Sequence, residues 1–205
     1  ALAGSLLARA VMDQGGTWGA SMVTMQLYVE GGGDANSLTR ECRNGFRAFL
    51  EHAGLSGKMP RIVASGSRKG AYDDFANAMK HQRGDELFFL LVDSEDPVAD
   101  GHSVWEHLKK RDGWEKPAGA DDRAFLMVQV METWFLADIE TVKRFFGNGF
   151  NEKPFKEWPN LEAVDKKAVF DTLKQATSGC QKRYTKGSIS FDLLGEINPS
   201  KVRDA

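Results

Sequence analysis

The sequence predicts an α/β fold, a mostly parallel sheet flanked by helices, with a helical C-terminal part. Three observations predict it. Strand-like and helix-like patterns alternate from residue 25 to residue 93. Two runs, "ELFFLLVD" (86–93) and "AFLMVQVM" (124–131), are apolar almost throughout instead of alternating, as strands covered on both faces are. Three of the four predicted strands also end in carboxylates, which a parallel sheet would gather at one edge.

Taken in order, "MQLYVE" (25–30) reads as the first strand and "ANSLTRECRNGFRAFLEHAG" (35–54) as a helix stopped by Gly54. "RIVAS" (61–65) is the second strand. "GAYDDFANAMKHQ" (70–82) has apolar residues at helical spacing and leads to the third strand, 86–93. "GHSVWEHLKKRDGW" (101–114) suggests a short helix. The fourth strand, 124–131, runs straight into "ETWFLADIETVKRFFG" (132–147), a helix stopped by Gly147. "NEKPFKEWPN" (151–160) is a loop with two prolines, and "LEAVDKKAVFDTLKQAT" (161–177) an amphipathic, lysine-bearing helix. "FDLL" (191–194) is a last short apolar piece. Trp105, Trp134 and Phe135 have helical context and are expected in the core. Trp114 and Trp158 lie in loops, where packing beneath the loop competes with stacking on bases.

The chain of 205 residues, 41% hydrophobic and 27% charged, suits a single domain over 22–205. Residues 1–21, small and Gly-rich, read as an N-terminal extension, a leader or an upstream translation start. They lack the basic start and long apolar block of a signal peptide. The ending "NPSKVRDA" is abrupt and leaves room for a continuing chain. Cys42 and Cys180 are too few for a disulfide framework and read as free thiols of a reduced, cytoplasmic protein. The run "LFFLLV" is too short to span a bilayer, so no membrane role is expected.

Net charge is −2, unevenly spread. Residues 85–140 hold fourteen acids against five bases, and residues 166–203 eight bases against three acids. A solvated surface is one reading; an acidic pocket for cations beside a basic face for phosphates is the other.

"LYVEGGGDANSL" (27–38) poses the functional question: an apolar run climbs to Glu30 and breaks into glycines before a helix. A plain strand-to-helix turn would explain it. So would a metal or phosphate site, because glycines present backbone amides at a helix start. Glu30, Asp93 with Glu95 and Asp96, and Glu132 all end predicted strands. Clustered carboxylates repel unless a cation sits between them, and an all-oxygen set favours Mg²⁺ or Mn²⁺ over zinc. No Gly-Lys-Ser/Thr follows the glycines, which excludes a P-loop, and "EGGGDA" lacks the dinucleotide-binding spacing.

"LYVEGGGD" and "FFLLVDSED" resemble the two signatures of the Toprim domain, a Rossmann-like fold of topoisomerases, bacterial primases and overcoming-lysogenization-defect nucleases. Glu30-Gly31 matches the first signature, a glutamate followed by glycine. Asp93-Ser94-Glu95 matches the second, Asp-x-Asp, with a glutamate that keeps the charge and lengthens the arm. More narrowly, "ASGSRKGAYDDF", "LLVDSEDPV", "MVQVMETWFLAD" and "YTKGS" are similar to a bacterial Toprim-like family commonly found beside ABC-type ATPases in phage-defence islands. The likeness covers residues 25–203.

The resemblance implies metal-dependent phosphodiester chemistry, in which two hard cations about 4 Å apart activate water and stabilise both reacting oxygens. It implies Glu30, Asp93 and Glu95 as metal ligands, with Glu30 a candidate base, and Asp96 and Glu132 as further ligands. Glu132 has a competing reading as a helix cap. Lys186 in "YTKGS" is the candidate cation for transition-state charge, or else a solvated loop lysine. Gly31 and Gly32 would admit phosphate. Arg68 would clamp phosphate or pair with an acid. His102 would contact substrate, or serve as a cap.

The leading expectation is therefore a Mg²⁺-dependent nuclease acting on DNA or RNA, the effector of a defence system gated by an ABC-type or SMC-like ATPase. The alternative is a non-catalytic module that binds and regulates that ATPase. A phosphatase or small-nucleotide hydrolase is a third reading. The modest net charge weighs against tight autonomous DNA binding, and the oligomeric state stays open.

Overall fold

A computed structural model describes residues 24–33 and 35–205; the expected extension over 1–21 lies outside them. Strands β1 (Met25–Gly32), β2 (Arg61–Gly66), β3 (Leu87–Asp93) and β4 (Ala124–Met127) form one sheet in the order β2-β1-β3-β4, every pair parallel. The expected α/β architecture with its parallel sheet is the one observed.

Side chains alternate across the two faces, and both faces are covered. Leu27, Val29, Phe89, Leu91, Phe125 and Met127 join one apolar cluster, while Tyr28, Phe88, Leu90, Val92, Ala124 and Leu126 join another. This is why β3 reads as unbroken apolar sequence: all seven of its residues are buried.

On the first face lies helix α1 (Asn36–Leu50), through Cys42, Phe46, Phe49 and Leu50. On the second lie α2 (Arg68–Lys80), through Ala71 and Phe75, and α3 (Val104–Asp112), through Trp105 and Leu108. Helix α3 opens with a capping box between Ser103 and Glu106 and closes at left-handed Gly113. The C-terminal helices α4 (Ile139–Phe146), α5 (Lys166–Ala176), α6 (Ser188–Leu194) and α7 (Pro199–Asp204) all add to the first face. No helix among the described residues is long and apolar enough to cross a membrane.

Several boundaries differ from the expected ones, each for a local reason. The fourth strand ends at Met127 instead of residue 131. The Asp93 carboxylate accepts from the Met131 amide at 2.8 Å, where a 3₁₀ turn, Met131–Ala137, begins. The helix expected over 132–147 is therefore this turn followed by α4, broken at Asp138. Asp138 is buried and accepts from the Thr141 amide at 3.4 Å, the Asn198 amide at 3.1 Å and Lys201 Nζ at 2.7 Å, tying α4 to α7. The helix expected over 161–177 is a short 3₁₀ turn and then α5, which begins after the Asp165 cap. Helix α1 ends at Leu50 and passes into a π turn, Glu51–Leu55, in which Gly54 takes φ 93°.

Helix α6, legible in the sequence only as "FDLL", settles close to the end of β1. A Cβ on Gly31 would lie 2.9 Å from Phe191 Cζ and 3.0 Å from Cys42 Sγ, and Gly31 has φ 127°. A Cβ on Gly32 would lie 2.8 Å from Thr39 Cα. Gly31 and Gly32 are thus demanded by protein packing and by their own backbone angles.

Candidate metal and phosphate site

Glu30, Asp93 and Glu95 converge at the carboxyl edge of the sheet, each with one carboxylate oxygen within 4.8 Å of the others. β1 delivers Glu30 and β3 delivers Asp93 because the two strands are neighbours in register, Val29 opposite Leu91. The Asp93 amide donates to Glu30 Oε2 at 3.3 Å, locking the two together. Glu95 follows β3 in a left-handed conformation, φ 66°, uncommon for a residue with a side chain. Its amide donates to Gln129 O at 2.7 Å, and Lys166 Nζ donates to its Oε2 at 2.7 Å. Gln129 Oε1 also accepts from the Lys166 amide at 3.3 Å, so Gln129 and Lys166 together hold Glu95 in place.

Glu30 and Asp93 open on a cleft of about 280 Å³ lined also by Gly31–Gly33, Gly66, Glu132, Lys186 and Gly187, together with apolar Leu38, Met127, Met131 and Phe191; Glu95 stands beside it. Glu132 is 1% exposed. Its Oε1 accepts from the Tyr184 hydroxyl at 3.0 Å, while its Oε2 is buried without a partner among the described residues. Such an oxygen is costly unless a cation, a water or a ligand meets it.

Electrostatics point the same way. Burial, and then the neighbouring Glu30 and Glu132, raises the Asp93 carboxyl well above the usual range. Burial likewise raises Glu30 and Glu132. Burial alone would lower the Lys186 ammonium, but Glu132, Asp93, Glu30 and Glu95 outweigh it and raise the pKa. Lys186 thus sits in the combined field of four carboxylates. No ion pair closes onto it among the described residues, and its Nζ is 5.4 Å from the Phe170 ring centroid. Three converging carboxylates, an unpartnered buried oxygen and an all-oxygen donor set fit one or more hard divalent cations.

Not every expected site residue belongs to the cleft. Asp96 is turned away: its carboxylate accepts from Arg111 Nε at 2.9 Å, and its side chain is 60% exposed. Its short arm satisfies the helix behind it, so it is not a ligand in this arrangement. Arg68 pairs with acids instead of offering a phosphate clamp. Its Nε donates to Asp93 O at 2.8 Å, a terminal nitrogen meets Asp112 at 2.5 Å, and the guanidinium lies 4.5 Å above the Trp114 ring. Buried between strand and helix, it holds the end of β3 in position. His102 closes a turn onto Ala99 O and does not line the cleft. Trp114 is buried and stacked on Tyr72, so it presents no free face to bases, and Trp158 packs partly buried on the core.

Gly31, Gly32, Glu132 and Lys186 do line the cleft. Glu132 acts neither as a cap nor as one of the three-carboxylate group. Reading the sequence missed Gln129, Lys166, Tyr184 and the apolar residues of the cleft. Tyr184 lies two residues before Lys186 in "YTKGS", which is a usable signal. Gln129 and Lys166 carry none, because only the fold brings them to Glu95.

Among comparisons with known proteins, no curated protein and no solved structure matches the chain. One family model matches, over residues 29–205, described as a domain of unknown function, DUF4276. That span begins just before Glu30 and takes in the whole cleft, and the chain belongs to the DUF4276 family.

Proposed function

We propose that the protein is a metal-dependent hydrolase of phosphoester bonds, a Toprim-type nuclease. The observation that carries the reading is a cleft in which Glu30 and Asp93, with Glu95 within reach of both, meet Lys186 and the unpartnered oxygen of Glu132. Glu30, Asp93 and Glu95 would hold Mg²⁺ or Mn²⁺. Bound there, such a cation supplies Lewis-acid polarisation of a phosphoryl oxygen and makes water more acidic.

The chain's own groups would do the rest. Lys186 would bind the phosphate through its ammonium and offset the charge that builds on the oxygens in the transition state. Glu132, fixed by Tyr184, would hold Lys186 towards the cleft. Glu30, at the edge of the cleft, would also be the candidate to accept a proton from the attacking water. The water oxygen forms a bond to phosphorus as its proton passes to Glu30, the bond from phosphorus to the leaving oxygen breaks, and the leaving oxygen takes up a proton from solvent. Gln129 and Lys166 would keep Glu95 oriented, as partners behind metal ligands commonly do.

A nuclease of this kind, gated by an ABC-type or SMC-like ATPase in a cytoplasmic anti-phage system, is the setting the sequence resemblance suggests. The modest net charge supports a partner that supplies the grip on nucleic acid. The second reading, a non-catalytic module that regulates such an ATPase, draws on the ion pair between Lys166 and Glu95, which already neutralises one of the three carboxylates.

The test is calorimetric titration with Mn²⁺ of the wild type and of Asp93→Ala, followed by cleavage assays on DNA and RNA with and without the ATPase. Metal binding and cleavage that both vanish in the variant support the hydrolase. Wild-type protein that binds no metal at millimolar concentration, yet still binds the ATPase, supports the regulatory module.

A further inference from the structure

The cleft is acidic only in part. Leu38, on the first turn of α1, stands between two glycine turns. Its Cδ2 is 3.7 Å from where a Cβ on Gly33 would sit, and its Cδ1 is 3.5 Å from the same point on Gly187. Both glycines have positive φ, 49° and 110°, and both line the cleft. Leu38 is half-buried and continues inward to Met131 and Phe191, which are almost covered. The carboxylates are recessed: Asp93 is 4% exposed, and the side chain of Glu30 is 18% exposed. A reacting phosphate must therefore enter a cleft of about 280 Å³. Whatever it carries must be compact and present an apolar face to Leu38.

Duplex nucleic acid meets neither condition. Its phosphates sit on a wide ridge, beside a major groove about 12 Å across, and its binders neutralise roughly six to ten phosphates with Lys and Arg. Here the cleft is lined by one cation, Lys186, among the described residues. A single nucleotide meets both conditions, since every base has an apolar face and one phosphate needs one ammonium.

We propose that the cleft takes one nucleotide unit, its phosphate on Lys186 and its base on the Leu38 lip, supplied by the end of a single strand or by a free mononucleotide, with duplex excluded. This rests on the phosphoester-hydrolase reading and names its substrate class. The hydrolytic step is the one given above: water oxygen joins phosphorus as the bond to the leaving oxygen breaks.

Two measurements on the full chain with Mn²⁺ test it. In the first, a single-stranded oligonucleotide, the same sequence as a blunt duplex, and adenosine monophosphate are offered in parallel. Single strand or mononucleotide should turn over at least tenfold faster than duplex, and the faster of those two identifies the source. In the second, calorimetry compares adenosine monophosphate with inorganic phosphate. The nucleotide should bind about tenfold more tightly, as roughly 55 Å² of apolar contact between a base face and Leu38 contributes. Leu38→Ser should remove most of that difference while Mn²⁺ affinity holds.

Duplex cut as fast as single strand would overturn the inference and leave the hydrolase standing. Nucleotide bound no more tightly than phosphate would also overturn it. If nothing is hydrolysed although the nucleotide retains its tenfold advantage, the hydrolase reading falls and the nucleotide site survives.

Discussion

Replacing Asp93 by Asn should stabilise the metal-free protein while abolishing its response to metal. The Asn Oδ1 can still accept from the Met131 amide, now at 2.8 Å, and the side chain keeps its volume, so the fold has no reason to change. What disappears is a buried charge facing two others. At 4.8 Å and an effective dielectric constant of about 20, each pair of carboxylate charges repels by about 3.5 kcal/mol. Lys186 and Arg68 offset part of this, leaving a net gain of about 1–3 kcal/mol, or roughly 2–12 °C in Tm for a chain of this size. Because burial raises the folded-state pKa of Asp93, the wild type binds more protons folded than unfolded at intermediate pH. Its stability relative to Asp93→Asn then falls as pH rises from about 4 towards that raised value. Metal reverses the order. Mn²⁺ at a hundredfold excess over its Kd contributes about 2.7 kcal/mol to the wild type, roughly 5–11 °C, and nothing to the variant. Thermal denaturation in EDTA and in Mn²⁺, at pH 5 and pH 8, reads all of this. A variant less stable than the wild type in EDTA, or equally stabilised by Mn²⁺, would refute the reasoning.

Lys186→Met should lower phosphoester hydrolysis at least about a hundredfold, as loss of a transition-state charge does, while Mn²⁺ binding survives; loss of metal binding as well would make Lys186 structural. Gly31→Ala places a Cβ 2.9 Å from Phe191 Cζ at φ 127°, and should cost about 2–4 kcal/mol in urea denaturation. Adding Phe191→Leu should recover part of that loss, and a purely additive double mutant would show that the ring is not the obstacle. Asp138→Asn should cost about 1–2 kcal/mol at pH 7. Burial tends to raise this carboxyl, but Lys201, Thr141 and the Asn198 amide outweigh it and hold the pKa below the ordinary value. The contribution is thus present above about pH 4 and fades as pH falls through the folded-state value, so the two melting curves should converge in acid. A gap unchanged at pH 3 would contradict the ion pair.

The two carboxylates on adjacent strands are legible in the amino-acid sequence, because strand ends are local events. A run such as "LFFLLVD" can satisfy its burial only inside a covered parallel sheet, and its final aspartate must then emerge at the carboxyl edge. The same reasoning reaches Glu30 through "LYVE". Element boundaries past Met127 escaped it, since Asp93 draws the Met131 amide to itself and ends the strand through a contact 38 residues away in sequence. The sorting of acids escaped it too. Asp96 and Glu95 are neighbours in the chain, but the first is taken by Arg111 and the second is held beside Glu30 and Asp93 by Gln129 and Lys166.

By itself, then, the sequence determined the parallel α/β sheet, both faces of its core and the presence of carboxylates at one edge, all of which follow from periodicity and burial. Only the tertiary structure decided which charges meet. It committed Arg68 to Asp112 and the end of β3, set Lys186 in the field of four carboxylates, and pressed Phe191 against Gly31. Those outcomes depend on distances between segments far apart in the chain, and electrostatic and steric energies change steeply over the few ångströms that local patterns leave open.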